Sequence, residues 1–404
     1  MPFIGFLLIA VGLTTSPALV SIGVGAIGLY IFFNPFSFTF RAFVNHKLAL
    51  SLSTFFIVHL IAIAFTVYAN FIWHELKNKF PFLIIPLAWG VTPTFSVQQK
   101  KWIYLSFITT IMLVSLATLI NYTLHFEQIN RGILQSKSIP IISLSKSISH
   151  IYFSFMSAFA IGLCWVKELA PIHYYYRVGI SLFLILCLHL FATRTGLFSF
   201  YVGIIGVFFY LLLSRQLSRK FMLAIGGVVI LAFLGIFTFS SVQNRIKNTI
   251  EDWQIWSSQK HFRYYSLGNR FFIWQVGVEL VSKNLWLGVG PASIPYLLEK
   301  YHEQYSAGVP TEAHLKDFHN QWLEYCVGLG VPLALVLLVC FLLPLFYWRK
   351  LEQPLIYLYF LLIVFSASLV ESILERQMGI SFFICFQLLL SNSIVEKSAV
   401  IKNK

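Results

Sequence analysis

Apolar runs of about 20 residues recur along the chain between short polar joints, and each is long enough to cross a bilayer as a helix. Residues 2–33 divide into two such pieces, because Pro17, behind the hydroxyl run Thr14, Thr15 and Ser16, breaks the helical hydrogen bonding. Further spans are expected at 48–69, 80–95 and from 102 to near His125. A short amphipathic piece with Trp73, His74, Glu75, Lys77 and Lys79 separates the first two of these. A polar, moderately basic stretch at 126–148 precedes spans at 150–166, 174–193 and 196–213, and a ninth that ends near Ser240. Residues 241–320 then form the one long polar interruption, before three last spans at 321–347, 355–370 and 378–390. The pattern predicts an all-α polytopic membrane protein with about twelve transmembrane helices. Its expected divisions are 1–240 with helices one to nine, a largely helical loop domain at 241–320, and 321–404 with helices ten to twelve and a tail.

Composition agrees with that reading. Hydrophobic residues make up 58% of 404 and charged residues 11%, against about 25% charge in a soluble domain. Mean hydropathy is +0.78. A net charge of +14 could suggest nucleic acid, but the basic residues sit in joints between spans, which is the positive-inside signature, so no nucleic-acid partner is expected. With the amino terminus inside, fourteen of the 29 Lys and Arg residues fall on the cytoplasmic side and seven in short outer joints. The other eight lie in the long loop, nearly balanced by its seven acids. This bias places both termini in the cytoplasm and the long loop outside. The amino terminus has no basic n-region and reads as a first membrane helix rather than a cleaved signal. All five cysteines fall in apolar runs without zinc-like spacing, so neither disulfides nor a metal site is expected. The chain also lacks a Gly-Lys-Ser/Thr nucleotide loop, a His-Glu-x-x-His site and the paired interrupted helices of many secondary transporters.

A few polar residues stand out against this background. Arg194, in Thr193-Arg194-Thr195-Gly196-Leu197, begins a span with no loop before it. A charge so near hydrocarbon either snorkels to headgroup phosphates or serves a site, and the sequence supports both readings equally. Arg270 opens an amphipathic helical pattern that also carries Trp274. It is either a solvated helix-start arginine or a phosphate ligand, since guanidinium groups pair well with phosphate oxygens. His319 closes the long loop where the tenth span begins, and an imidazole there can take a proton near neutral pH or simply bond the interface. His150 with Tyr152, Asn320 beside His319, and the tail cluster Glu371, Glu375, Arg376 and Gln377 are candidate rim residues at outer span ends. Trp253, Trp256, Tyr264, Tyr265 and Trp274 could stack on sugar faces or merely pack.

Together these motifs resemble the O-antigen ligase and polymerase superfamily, lipid-linked glycan transferases with a GT-C-type membrane fold. The resemblance covers nearly the whole chain. It rests on His319-Asn320 with Gly330 eleven positions on, and on Arg194-Thr195-Gly196-Leu197. It rests also on Arg270 with Trp274, Asn284-Leu285-Trp286 and Gly288-Val289-Gly290, and on Glu371…Leu374-Glu375-Arg376-Gln377-x-Gly379. The chain departs from the family pattern at Leu333 and in lacking a proline after Asn284. The resemblance implies transfer of a glycan from undecaprenyl diphosphate to lipid A–core oligosaccharide at the periplasmic face of a bacterial inner membrane. It implies His319 as general base, Arg194 and Arg270 on the diphosphate, inversion at the anomeric carbon, and no ATP, cofactor or protein-bound metal. The same donor chemistry serves a polymerase acting on lipid-linked repeats and a protein O-oligosaccharyltransferase. A transporter of lipid-linked sugars is the reading from another class, but it calls for charges along a mid-membrane path, and here they gather at one surface.

Overall fold

Each of the twelve expected apolar segments is helical in the computed structural model, which describes residues 1–404 except 67, 69–70, 93, 136, 147, 258–265, 306–315 and 392–404. Tyr264, Tyr265 and the carboxy-terminal tail lie outside the described residues, as does the side chain of Trp256. Among the described residues every regular element is a helix.

Pro2–Thr15 (α1) and Pro17–Phe32 (α2) form a tight hairpin, each with proline in its first turn, where the missing N–H costs nothing. The two meet backbone to backbone, so that a Cβ on Gly23 would lie 2.7 Å from the Gly5 carbonyl. Phe36–Asn45 (α3) then turns sharply into Lys47–Ile63 (α4), a bend of 99°. Nδ1 of His46 at the corner accepts the Ala49 N–H at 3.1 Å. Ile72–Lys79 (α5) is the amphipathic piece. Pro81–Val91 (α6) covers only part of the fourth expected span. Val97–Leu124 (α7) starts with a capping box between Ser96 and Gln99 and runs for 28 residues. The polar stretch after it contains a helix, Phe126–Leu134 (α8), before His150–Leu163 (α9), Tyr174–Phe191 (α10), Arg194–Leu213 (α11) and Arg219–Thr238 (α12). The long polar segment holds Ser240–Ser257 (α13), Ser266–Lys283 (α14) and Ile294–Tyr305 (α15). Gln321–Leu329 (α16), Val331–Leu342 (α17), Pro354–Val370 (α18) and Gln377–Ser391 (α19) complete the chain.

Among the described residues, five helical segments are long and apolar enough to cross a membrane, or six if the bent α3–α4 pair counts as one span. Five other apolar helices, α1, α2, α9, α18 and α19, are shorter, at 14 to 17 residues. The interior is built on α9 and α19, whose side chains are buried on nearly every face. Phe107, Phe155, Phe159, Phe360, Phe382 and Phe386 interlock there with centroids 4.8–6.4 Å apart, at the spacing aromatic pairs prefer. Small residues let neighbouring helices close on this centre, as membrane helix packing requires. Gly162 and Gly203 flank the Tyr359 ring, and Gly196 abuts Ser154 of α9.

A second, smaller core joins the long polar segment to the membrane helices. Ile273, Val276 and Leu280 of α14 pack with Ile294 and Leu298 of α15, Phe318, and Val327 of α16. The tenth expected span is not one helix. It breaks at Gly330, which adopts φ +81, and the Leu285–Gly290 turn plugs the break. The Val289 and Gly290 N–H groups donate to the Val327 and Gly328 carbonyls at 2.9 and 3.0 Å, and the Val331 N–H donates to the Leu285 carbonyl at 2.9 Å. Gly288, at φ +66, would place a Cβ 2.6 Å from the Gly330 nitrogen. A side chain on Gly330 would collide with the Trp286 carbonyl. Gly330→Ala is therefore expected to destabilise the protein by at least about 1–3 kcal/mol, the cost of a strained backbone position. Gly179→Ala, with nothing within 4 Å of its Cβ, serves as the control. Thermal unfolding of the detergent-purified protein checks this, and equal midpoints for the two variants would refute the plugged break.

Candidate functional site

The turn that carries His319 is held atom by atom. Asn320 ends it as the cap of α16, its Oδ1 accepting the Trp322 and Leu323 N–H groups at 3.1 Å each. The Phe318 N–H donates to Glu324 Oε2 at 2.7 Å, and the Trp274 indole donates to the Phe318 carbonyl at 2.9 Å. The His319 N–H donates to Asp317 Oδ1 at 3.1 Å. These contacts hold His319 at φ +47, a left-handed conformation in which a non-glycine residue is strained and which tends to occur at functional positions.

Opposite this turn runs the short connection between α18 and α19. Its first residue, Glu371, has a carboxylate only 7% exposed, with Oε1 3.0 Å from His319 Nδ1 and Oε2 3.2 Å from Arg270 Nη2. Asp317 Oδ1 lies 3.2 Å from the same imidazole nitrogen. A carboxylate can only accept, so Nδ1 carries the proton and donates it. Nε2 makes no hydrogen bond among the described residues, on a side chain that is 34% exposed. A carboxylate orienting one imidazole nitrogen while the other is free to work is the arrangement of a base in an acyl- or glycosyl-transfer site.

The electrostatics follow from these contacts. Burial by itself would lower the His319 pKa, but the Glu371 hydrogen bond and the charges of Glu371 and Asp317 outweigh it, and the result is raised above 6.5. Burial would likewise raise the Glu371 carboxyl, but bonding to His319 and the charges of His319, Arg270 and Arg376 hold it below the ordinary carboxylate range. Asp317 moves up, mainly through burial.

The connection that carries Glu371 is pinned from three directions. The Tyr152 hydroxyl of α9 donates towards the Ser372 and Ile373 carbonyls at 3.4 and 3.2 Å. Gln321 of α16 accepts the Leu374 N–H at 2.6 Å and donates to Glu375 Oε1 at 2.5 Å. Lys79 of α5, fully buried, reaches the Leu374 carbonyl at 2.7 Å, Glu375 at 2.6 Å and Glu75 at 3.4 Å. Glu324 ties the two sides together, accepting from Phe318 and from the Ser372 hydroxyl at 3.2 Å.

A second group of cations lies beyond His150. The charges acting on the His150 imidazole are those of Arg245, Glu371 and Arg270, and His150 Nδ1 sits 3.1 Å from the Ser138 hydroxyl. Arg245 of α13 donates to the Lys137 carbonyl at 2.9 Å. Its pKa is pushed down to about 10, first by burial and then by the nearby charge of Arg194. Arg194 opens α11, and two residues later Gly196 packs against Ser154, in the turn of α9 that follows His150 and Tyr152.

Of the residues picked out in the sequence, His319, Glu371 and Arg270 thus meet directly. Trp274 and Tyr152 hold their backbone supports, His150 lies within reach of their charges, and Arg194 stands beside Arg245. Two play other parts: Asn320 is spent on capping, and the Gln377 side chain accepts the Ser21 hydroxyl of α2 at 2.9 Å. Sequence reasoning gave no role to Asp317, Arg245 or the buried Lys79. The Asp317-x-His319 spacing was the one usable signal, whereas nothing local marks Arg245 or Lys79.

Among the described residues, two clusters present three metal-type ligands within 4.8 Å of one another, His59 with Glu75 and Glu375, and Asp317 with His319 and Glu371. In the first the Lys79 ammonium already supplies the cation. In the second the imidazole proton and Arg270 satisfy the carboxylates, and the same three atoms could otherwise take a divalent ion.

An all-helical protein with this polar constellation at one end of apolar helices is a membrane protein with a built site. Residues 179–338 match the family model described as O-antigen ligase, a stretch that contains Arg194, Arg270 and His319. The match supports the O-antigen ligase and polymerase superfamily for this chain, whose members handle lipid-linked glycans. No curated protein matches the chain.

In an NMR titration of labelled histidine, His319 is expected to titrate above pH 6.5. Glu371→Gln, which removes the charge that favours the imidazolium, lowers that value. An unchanged titration in the variant would mean that Glu371 does not orient the imidazole.

Proposed function

We propose that the protein transfers a glycan from an undecaprenyl-diphosphate carrier to a sugar hydroxyl of lipid A–core oligosaccharide, at the outer face of a bacterial inner membrane. The observation that carries this reading is the Glu371–His319 pair with Nε2 open, beside Arg270, inside a chain that matches the ligase family. His319 Nε2 takes the proton of the acceptor hydroxyl, and that oxygen forms its bond to the anomeric carbon. The bond from that carbon to the phosphate oxygen breaks, and undecaprenyl diphosphate departs with the electron pair. Attack from the face opposite the leaving group inverts the anomeric configuration. Glu371 stabilises the imidazolium that forms, while Arg194 and Arg270 meet the charge growing on the diphosphate, a role in which preorganised donors are effective. Arg270 can serve both Glu371 and the donor because a guanidinium has five N–H groups. The diphosphate is a good leaving group, so the step requires neither ATP nor a bound metal.

Purified full-length protein in nanodiscs, with a defined polyprenyl-diphosphate glycan and a core acceptor, tests this by product mass. His319→Ala is expected to reduce kcat/KM by about 10²–10⁴-fold, the usual worth of a general base. Arg194→Ala and Arg270→Ala are each expected to lose about 10²–10³-fold, the scale of removing one preorganised donor. The base must be neutral and its pKa is raised, so kcat/KM falls as pH drops, with a midpoint above 6.5. Chelation of divalent ions leaves the rate unchanged. Full transfer by all three variants, or a rate that disappears with chelation, refutes the assignment.

A further inference from the structure

Polar residues recur on one face of α13, at Ser241, Asn244, Arg245 and Asn248, which are the i, i+3, i+4 and i+7 positions of a helix. Each of them meets a neighbouring element. The Ser241 hydroxyl donates to the carbonyl of Leu190 in α10, four residues before Arg194. Asn248 donates to the Ile133 carbonyl of α8, and Asn244 approaches Asn130 of the same helix at 3.5 Å. Arg245 Nη2 donates to the Lys137 carbonyl at 2.9 Å. This face of α13 is thereby fixed between α8 and the end of α10.

Two of these contacts bring Arg245 to the arginine side of the site. The residue after Lys137 is Ser138, whose hydroxyl lies 3.1 Å from His150 Nδ1 at the start of α9. The guanidinium of Arg245 and the imidazole of His150 therefore hold adjacent residues of one segment. On the other side, Ala192 ends α10 in a left-handed turn at φ +50, which delivers Arg194 to the first position of α11. The bond from Ser241 to Leu190 brings that turn alongside Arg245, one helical turn further along α13.

Like charges consequently meet. The charge that acts on Arg245 is that of Arg194, and among the described residues no carboxylate pairs with Arg245. Cations placed together repel unless an anion comes between them. Among the described residues the bond to Lys137 is the one hydrogen bond that the Arg245 side chain donates. A guanidinium has five N–H groups, so most of its donors remain for a ligand. Arg270 is tied through Glu371 to His319, whereas Arg245 is tied through the 137–138 segment to His150. Arg270 is thus the guanidinium next to the base, and Arg245 is one removed from it.

We propose that Arg245 is a third guanidinium on the donor's diphosphate, gripping the phosphate that carries the lipid chain, so that the protein tells a lipid diphosphate from a lipid monophosphate. This rests on the glycan-transfer reading above, but it makes a separate claim about binding. In the transfer step, negative charge grows on the oxygen that leaves the sugar, which belongs to the other phosphate. Arg245 therefore contributes to holding the donor rather than to the rate of the step.

The test uses the full chain in nanodiscs with two probes, farnesyl diphosphate and farnesyl monophosphate, and follows binding by calorimetry. Arg245→Gln keeps a donor for the Lys137 carbonyl but removes the charge, and Arg245→Lys keeps the charge. Arg131→Ala, which removes an exposed charge from α8, is the control. The wild type is expected to bind the diphosphate at least about tenfold more tightly than the monophosphate, the fold-change of 1.4 kcal/mol. Arg245→Gln loses most of that preference, Arg245→Lys retains part of it and Arg131→Ala retains all of it. In turnover, Arg245→Gln raises the donor KM about tenfold and leaves kcat and the acceptor KM within about twofold of wild type. Equal or absent binding of the two probes by the wild type overturns the proposal. So does a preference that survives in Arg245→Gln, which would make the residue a tie for α13 alone, or an equal loss in Arg131→Ala. The expected binding pattern with no covalent transfer from any glycan donor would instead defeat the glycosyl-transfer reading and leave the Arg245 assignment standing.

Discussion

One buried carboxylate organises the candidate site. Glu371 is almost wholly withdrawn from water and divides its two oxygens between an imidazole and a guanidinium that come from different parts of the chain. A charge so placed is costly to desolvate, and removing either partner takes away part of what compensates it. The left-handed His319 turn, α14 and the end of α18 meet at this group, and Trp274 and Glu324 add further ties between them. The strain at His319 persists because four neighbouring residues, Trp274, Asp317, Asn320 and Glu324, fix the backbone on both sides of it.

Three neighbouring helices supply the support that the carboxylate needs. Tyr152 from α9, Lys79 from α5 and Gln321 from α16 converge on the five residues that follow α18. Lys79 has no exposed surface and three oxygen partners, so its charge is satisfied rather than stranded. The same three elements also pack on the inner apolar core, through Leu76, Tyr152 and Tyr325. The plugged break at Gly330 has a related effect. It ends α16 as a separate short helix, which contributes Val327 to the outer core and Tyr325 to the inner one.

Charge is sorted on either side of His319. Arg194, Arg245 and Arg270 gather with His150, and carboxyl groups gather around a cavity that Asp317 lines. The charge of Arg376 acts on both Glu371 and Asp317.

Apolar run length and proline position suffice to locate helices, because a backbone in hydrocarbon has to satisfy its own hydrogen bonds. All twelve apolar segments were legible for that reason, and so were the α1–α2 break at Pro17 and the polar character of 241–320. His319, Arg270 and Glu371 were legible as charges at span ends, where a charge is costly and needs a use. Local pattern thus marked the apolar helical segments and the residues worth suspecting, but not α3, α8 or the division between α16 and α17. The tertiary structure alone decided that Glu371 is the common partner rather than a rim residue, that Asn320 is a cap, that Lys79 is buried, and that α16 and α17 are separate. Each of these depends on contacts between residues tens to hundreds of positions apart, and no local pattern records which distant group will satisfy a buried charge or fill a break in a helix.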